Sequence, residues 1–129
     1  MTAPTASKSI VVDSSGWLEY ITKDTKAELF RPYFSGEYSL IIPSLVLYEV
    51  RKVLLLRSTA AIDEWFASEA MRHQIVDLDK ETAFEAAALS ASSHLHMADA
   101  IIYTAARRNS AQLVTADSHF STLAGVLSL

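Results

Sequence analysis

The sequence predicts an α/β fold in which a parallel sheet carries helices on both faces. Three observations carry that expectation. Short apolar runs rich in β-branched residues, such as Ser9-Ile10-Val11-Val12 and Tyr38-Ser39-Leu40-Ile41-Ile42, have the length of buried strands. Longer stretches with apolar residues at helical spacing separate them, the pattern of βαβ units. Two acids, Asp13 and Asp117, stand just beyond strand ends, where ligands bind in such sheets.

The elements follow in order. The first strand stops at Asp13-Ser14-Ser15-Gly16, whose Asp and Ser residues suit the start of a helix through Trp17, Leu18, Tyr20 and Ile21. A second short helix is expected over Lys26 to Phe34. The strand Tyr38 to Ile42 is closed by Pro43, and Ser44 then caps a long helix reaching about Arg57. Ala60 to Met71 is helical, with Ile62, Trp65, Phe66 and Ala70 at helical spacing. Ile75 to Leu78 reads as a short strand, Lys80 to Ser92 as an alanine-rich helix, and Met97 to Arg108 as another. Gln112 to Thr115 is a further strand, His119 to Leu123 a short helix, and Val126 to Leu129 a last strand. No linker or repeat divides the chain, so residues 1–8 are expected to form a loose tail and residues 9–129 one domain.

At 129 residues, half of them hydrophobic and 20% charged, the chain can bury a real core and is not of disordered composition. The absence of cysteine excludes a disulfide scaffold, a thiolate zinc site and a cysteine nucleophile. Apolar stretches are too short to span a bilayer, and the polar start lacks a signal-peptide core, so no membrane association is expected and a cytoplasmic protein is. A net charge of −4 argues against a non-specific nucleic-acid coater, though not against an acidic metal site.

Four acids stand out. Asp13 at its strand end reads either as a helix cap or as a carboxylate aimed at a metal. Glu49 borders the stripe of Val46, Val50, Val53 and Leu54 on its helix, as an ordinary boundary glutamate or as a ligand. Asp99 is the lone charge in Met97-Ala98-Asp99-Ala100-Ile101-Ile102-Tyr103-Thr104-Ala105-Ala106, and a carboxylate in such surroundings is costly unless paired or bound to a metal. Asp117 follows Leu113-Val114-Thr115-Ala116 and again suits a cap or a site; Thr115 and Ser14 are hydroxyls placed to orient the acids. Together, carboxylates without His or Cys favour Mg²⁺ or Mn²⁺, ions that promote attack of water on a phosphodiester.

Ile10-Val11-Val12-Asp13-Ser14-Ser15, Pro43-Ser44 with Tyr48-Glu49-Val50, the Asp99 segment and Leu113-Val114-Thr115-Ala116-Asp117-Ser118-His119-Phe120 together resemble the PIN domain, and within it the small VapC-type toxins. The resemblance implies a three-layer α/β/α PIN-like fold with a central, mostly parallel sheet of four or five strands. It also implies a Mg²⁺- or Mn²⁺-dependent endoribonuclease with an RNA substrate, a cognate VapB-type antitoxin and a homodimer. The acidic positions of the family carry over to Asp13, Glu49, Asp99 and Asp117, and its hydroxyl to Thr115.

Arg51, Lys52, Arg57 and His119 are candidates for contacting RNA phosphates, against the reading of solvated helix faces and a capping histidine. His94 and His96 read as surface or capping residues. Trp17, Tyr20, Leu45, Val46, Trp65 and Phe66 could stack bases, but their periodicity favours core or partner contacts. Two alternatives stand beside the toxin: an RNA-processing PIN nuclease without an antitoxin, and an inactive PIN-fold interaction module. A neighbouring antitoxin gene separates the first from the toxin, and metal-dependent cleavage separates the second.

Overall fold

A computed structural model describes residues 8–129, so the expected tail lies, but for Lys8, outside the described residues. Strands β1 (Ser9–Val12), β2 (Ser39–Pro43), β3 (Gln74–Val76), β4 (Gln112–Thr115) and β5 (Val126–Ser128) form one sheet in the order β3-β2-β1-β4-β5. Every pairing is parallel, with Ile10 opposite Leu40 and Gln112, and Val12 opposite Val114. Among the described residues six helices complete the fold: α1 (Ser14–Thr22), α2 (Ala27–Phe30), α3 (Ser44–Arg57), α4 (Ala60–Ala70), α5 (Lys80–Ser93) and α6 (Met97–Arg108).

The strand order explains the layers. From β1 the chain steps outward to β2 and β3, then crosses back to β4 on the other side of β1. Right-handed crossovers therefore put α1 to α4 on one face and α5 and α6 on the other. The order reverses between β1 and β4, so the crevice at their carboxyl ends is the place where such sheets bind ligands.

Because both faces are covered, the central strands are apolar throughout: Ile10, Val11, Val12, Leu113 and Val114 are at most 1% exposed. On the α1 side Trp17 meets Phe34 and Phe66 edge-on, at ring-centroid distances of 4.6 and 5.5 Å, and Tyr20 stacks on Phe34 at 4.3 Å. Trp17, Val46 and Phe66 are thus core residues, while Trp65 and Tyr48 remain exposed. Tyr103 donates to the carbonyl of Ala124 at 2.6 Å, tying α6 to the turn before β5.

Bounds of β2, α4, α5 and β5 shift by one residue from expectation, and four elements differ in ways with a physical reason. The helix expected over Lys26 to Phe34 is broken into α2 and a 3-10 turn, Arg31–Phe34, because Pro32 has no N–H to continue an α-helix. Strand β3 is Gln74–Val76, not Ile75 to Leu78, because its partner β2 ends at Pro43, opposite Val76. Ser44 is the first residue of α3, and Pro43 takes the cap position without a side-chain bond. The last short helix is a 3-10 turn, Ser118–Phe120, which starts one residue early because Asp117 caps it.

Candidate metal centre

Asp13 leaves β1 in extended conformation and caps α1, accepting the N–H of Gly16 at 2.9 Å on Oδ1. Its Oδ2 accepts the hydroxyls of Thr115 at 2.5 Å and Ser15 at 3.1 Å. Asp13 is thus a helix cap, and the same bonds hold its carboxylate still at the end of β1. Asp13 is 5% exposed. Burial pushes its carboxyl above the ordinary value, the three hydrogen bonds oppose this, and the charge of Asp117 adds to the rise.

Thr115, fully buried at the end of β4, accepts the N–H of Asp117 at 2.9 Å, which turns its own proton toward Asp13. One hydroxyl thus links the ends of the two strands that flank the crevice. Thr115→Val keeps the volume but strands a backbone donor and a carboxylate oxygen. Denaturant unfolding is expected to show a loss of about 1–3 kcal/mol, largely restored in Thr115→Ser. Equal stability of the Val variant would contradict the link.

Asp117 caps the 3-10 turn, its Oδ1 accepting the His119 N–H at 2.9 Å. Asp99 enters from the other face of the sheet, in the first turn of α6. The body of that helix is buried as expected, but Asp99 itself is half-buried, because the helix end meets the open crevice; Asp13 is the more buried acid. Burial and then the charges of Asp117, Asp13 and Glu49 push the Asp99 carboxyl above its ordinary value, and His119 draws it down. Asp99 thus feels the charge of each of the other three acids. Glu49, half-buried on α3, accepts the Ser14 hydroxyl at 2.6 Å, a bond that ties α3 to the start of α1.

Of the other candidates, His119 joins the acids: one ligand atom from each of Asp99, Asp117 and His119 lies within 4.8 Å of the others. Arg51 instead forms an ion pair with the buried Asp63 of α4, Nε to Oδ1 at 3.3 Å, and so staples α3 to α4. Lys52 lies 5.9 Å from the Tyr48 ring centroid, and Arg57 is exposed in the last turn of α3. His94 caps α5 in a left-handed conformation and His96 stands at the cap of α6; both are exposed.

Gly16, placed by the sequence only among the residues that stop the first strand, has a packing role of its own. A Cβ there would lie 2.6 Å from Phe30 Cε1, 2.6 Å from Val12 Cγ1 and 3.0 Å from Asp13 Oδ1. Its place three residues after a capping Asp was the available signal, since that N–H is the one a cap side chain takes.

The donor set fits a hard divalent cation. Carboxylate oxygens predominate, the chain has no thiol, and a bound cation offsets both the burial and the mutual repulsion that raise Asp99. The sign of the pH dependence follows. With both folded values raised, Asp13 and Asp99 contribute most stability below the ordinary carboxylate range, and that contribution is lost as pH rises through the folded values. A cation competes with those protons. The rise in Tm produced by Mn²⁺ should be larger at about pH 7.5 than at about pH 5 in scanning calorimetry, and an equal rise at both would contradict the assignment.

A family model for the PIN domain matches residues 10–126. Among solved structures, a toxin–antitoxin complex from Klebsiella pneumoniae superposes with a TM-score of 0.79 at 17% identity, covering 92% of this chain and 96% of that chain. A Mycobacterium tuberculosis VapC described as a sarcin–ricin loop cleaving toxin gives 0.73 at 18% identity, over 91% and 96% of the two chains. The DNA-bound VapBC of Salmonella typhimurium gives 0.71 at 20% identity, over 95% and 97%. At such identities the likeness is one of fold, and no curated protein matches the sequence. The family match runs from the first strand to the last and takes in all four acids: the chain belongs to the PIN-domain family.

Proposed function

We propose that this chain is a Mg²⁺- or Mn²⁺-dependent endoribonuclease, the toxin of a VapBC-type toxin–antitoxin pair acting on RNA in the cytoplasm. The observation that carries the reading is the convergence of Asp13, Glu49, Asp99 and Asp117 at the strand-order reversal, with Asp99 set against the charges of the other three. The VapC and toxin–antitoxin neighbours support the biological setting.

When bound, the cation would neutralise a scissile phosphate and make water a better nucleophile at neutral pH. Asp13, Asp99 and Asp117 would hold it, with Glu49 completing the acidic rim. Gly16, Ser15 and Thr115 fix the Asp13 carboxylate before substrate arrives, and Ser14 fixes Glu49. Such preorganisation is what makes fixed charges effective in catalysis. In the reaction, water loses a proton to solvent as its oxygen bonds to phosphorus, the bond from phosphorus to the leaving ribose oxygen breaks, that oxygen takes a proton from solvent, and no bond to a protein atom forms.

For the antitoxin, a groove of about 840 Å³ between α1, α2 and α4 is lined by Tyr20, Ile21, Ile62 and Trp65, with Lys23, Asp24 and the Glu28–Arg31 ion pair at its edge. It suits the apolar face of an amphipathic segment. Exposed Leu55 and Leu56 of α3 and Phe84 of α5 offer apolar surface for a second copy.

The test is cleavage of end-labelled RNA by the purified chain. Fragments with internal ends are expected with Mg²⁺ or Mn²⁺ and none with EDTA. Cleavage indifferent to EDTA and to Asp13→Asn would overturn the reading. Sequencing the new ends after brief expression in cells would identify the RNA.

A further inference from the structure

We propose that His119 is a nitrogen ligand of the cation and gives this site a preference for Mn²⁺ over Mg²⁺. The inference rests on the reading that the acidic pocket binds a divalent cation, and goes beyond it by adding a donor outside the acid set.

The placement of the ring is set by the fold. Asp117 caps the turn that carries His119, Thr115 holds the Asp117 N–H, and the next residue, Phe120, is 1% exposed and anchors the turn in the core. The imidazole therefore projects from a fixed base beside the crevice and is not carried on a loose loop. Its Nδ1 lies 2.9 Å from Asp117 Oδ1, an oxygen that also accepts the His119 backbone N–H. A ring nitrogen and carboxylate oxygens of Asp99 and Asp117 all fall within 4.8 Å of one another. Neighbouring ligands on an octahedral ion with bonds of about 2.1 Å stand about 3.0 Å apart, so the Asp117–His119 separation is that of two adjacent donors.

The chemistry follows from the donor. Carboxylate and water oxygens serve Mg²⁺ and Mn²⁺ alike, whereas imidazole suits first-row transition ions and is a poor ligand for Mg²⁺. A site of oxygens plus one imidazole should therefore separate two ions that an all-carboxylate site treats similarly. The competing role for His119 is a counter-charge to Asp117 and Asp99, which would contribute no metal–nitrogen bond and would resist cation entry.

The experiment is Mn²⁺ and Mg²⁺ titration of the full chain by calorimetry, with pulsed EPR of the Mn²⁺ complex, on wild type, His119→Ala and Asp99→Asn. The His119 side chain is 69% exposed, so its removal leaves the core intact. The expected result is a ¹⁴N coupling in wild type that is lost in His119→Ala, with Mn²⁺ affinity falling at least about tenfold and Mg²⁺ affinity falling less. If wild type binds Mn²⁺ without ¹⁴N coupling, or His119→Ala keeps its Mn²⁺ preference while Asp99→Asn loses binding, the proposal is overturned and the acidic cation site stands. If wild type binds neither ion, the underlying reading fails with it.

Discussion

Asp99→Asn is expected to abolish RNA cleavage while making the metal-free protein more stable. Asparagine keeps the shape of the side chain and removes the charge that burial and the charges of Asp117, Asp13 and Glu49 disfavour. Relief of such strain is worth about 1 kcal/mol, held to that level by the half-exposure of Asp99, and should raise Tm by a few degrees. Activity should fall by about 100- to 1,000-fold or more, the range seen when one preorganised electrostatic group is removed. The sign of the stability change is the discriminating part. A carboxylate held by structural bonds would destabilise the fold when neutralised; one held against repulsion for a bound cation stabilises it. The gain should be largest near neutral pH and shrink as acid protonates the wild-type Asp99. A lower Tm for Asp99→Asn at neutral pH would contradict the account.

Gly16→Ala sets two effects against each other. Helix propensity favours Ala over Gly by about 0.5–1 kcal/mol, and Gly16 sits within α1. Sterics oppose it: the new methyl would press on Phe30 and Val12, both nearly inaccessible to solvent, and crowd Asp13 Oδ1. Overpacking of a closed core costs about 1–3 kcal/mol or more, so the clash wins and Tm should fall by roughly 3–10 °C. Cleavage should fall further than stability explains, because the displaced neighbour is the carboxylate that Gly16 itself holds. Thermal melts and cleavage rates measured well below Tm separate the two effects. An Ala variant as stable and as active as wild type would show that the packing around Gly16 yields freely.

The sheet, its helices and the four acids were legible because each has a local sign. β-branched runs ending in Asp13 and before Asp117, and a helix with one charge at Asp99, need no knowledge of distant contacts. Boundaries failed where a non-local or backbone constraint decided them. Pro32 broke a helix that periodicity alone would continue, and β3 ended where its neighbour β2 ran out of pairing groups at Pro43. The supporting bonds of the site were the least legible. Ser14 to Glu49 spans 35 residues and Thr115 to Asp13 spans 102, so no spacing rule reaches them. Nothing local marks Asp63, a buried acid on the next helix, as the partner of Arg51. Glu49 reads from the sequence as an ordinary boundary glutamate or as a ligand, and its bond to Ser14 and its charge on Asp99 are what tie it to the other acids.

That these side chains form one cation site is the claim on which the rest depends, and anomalous diffraction from Mn²⁺-soaked crystals tests it most directly. The account predicts a peak in the crevice at the ends of β1 and β4, within bonding distance of carboxylate oxygens from Asp99 and Asp117 and absent in crystals of Asp99→Asn. A crevice without anomalous density under saturating Mn²⁺, or density that persists unchanged in Asp99→Asn, would contradict it.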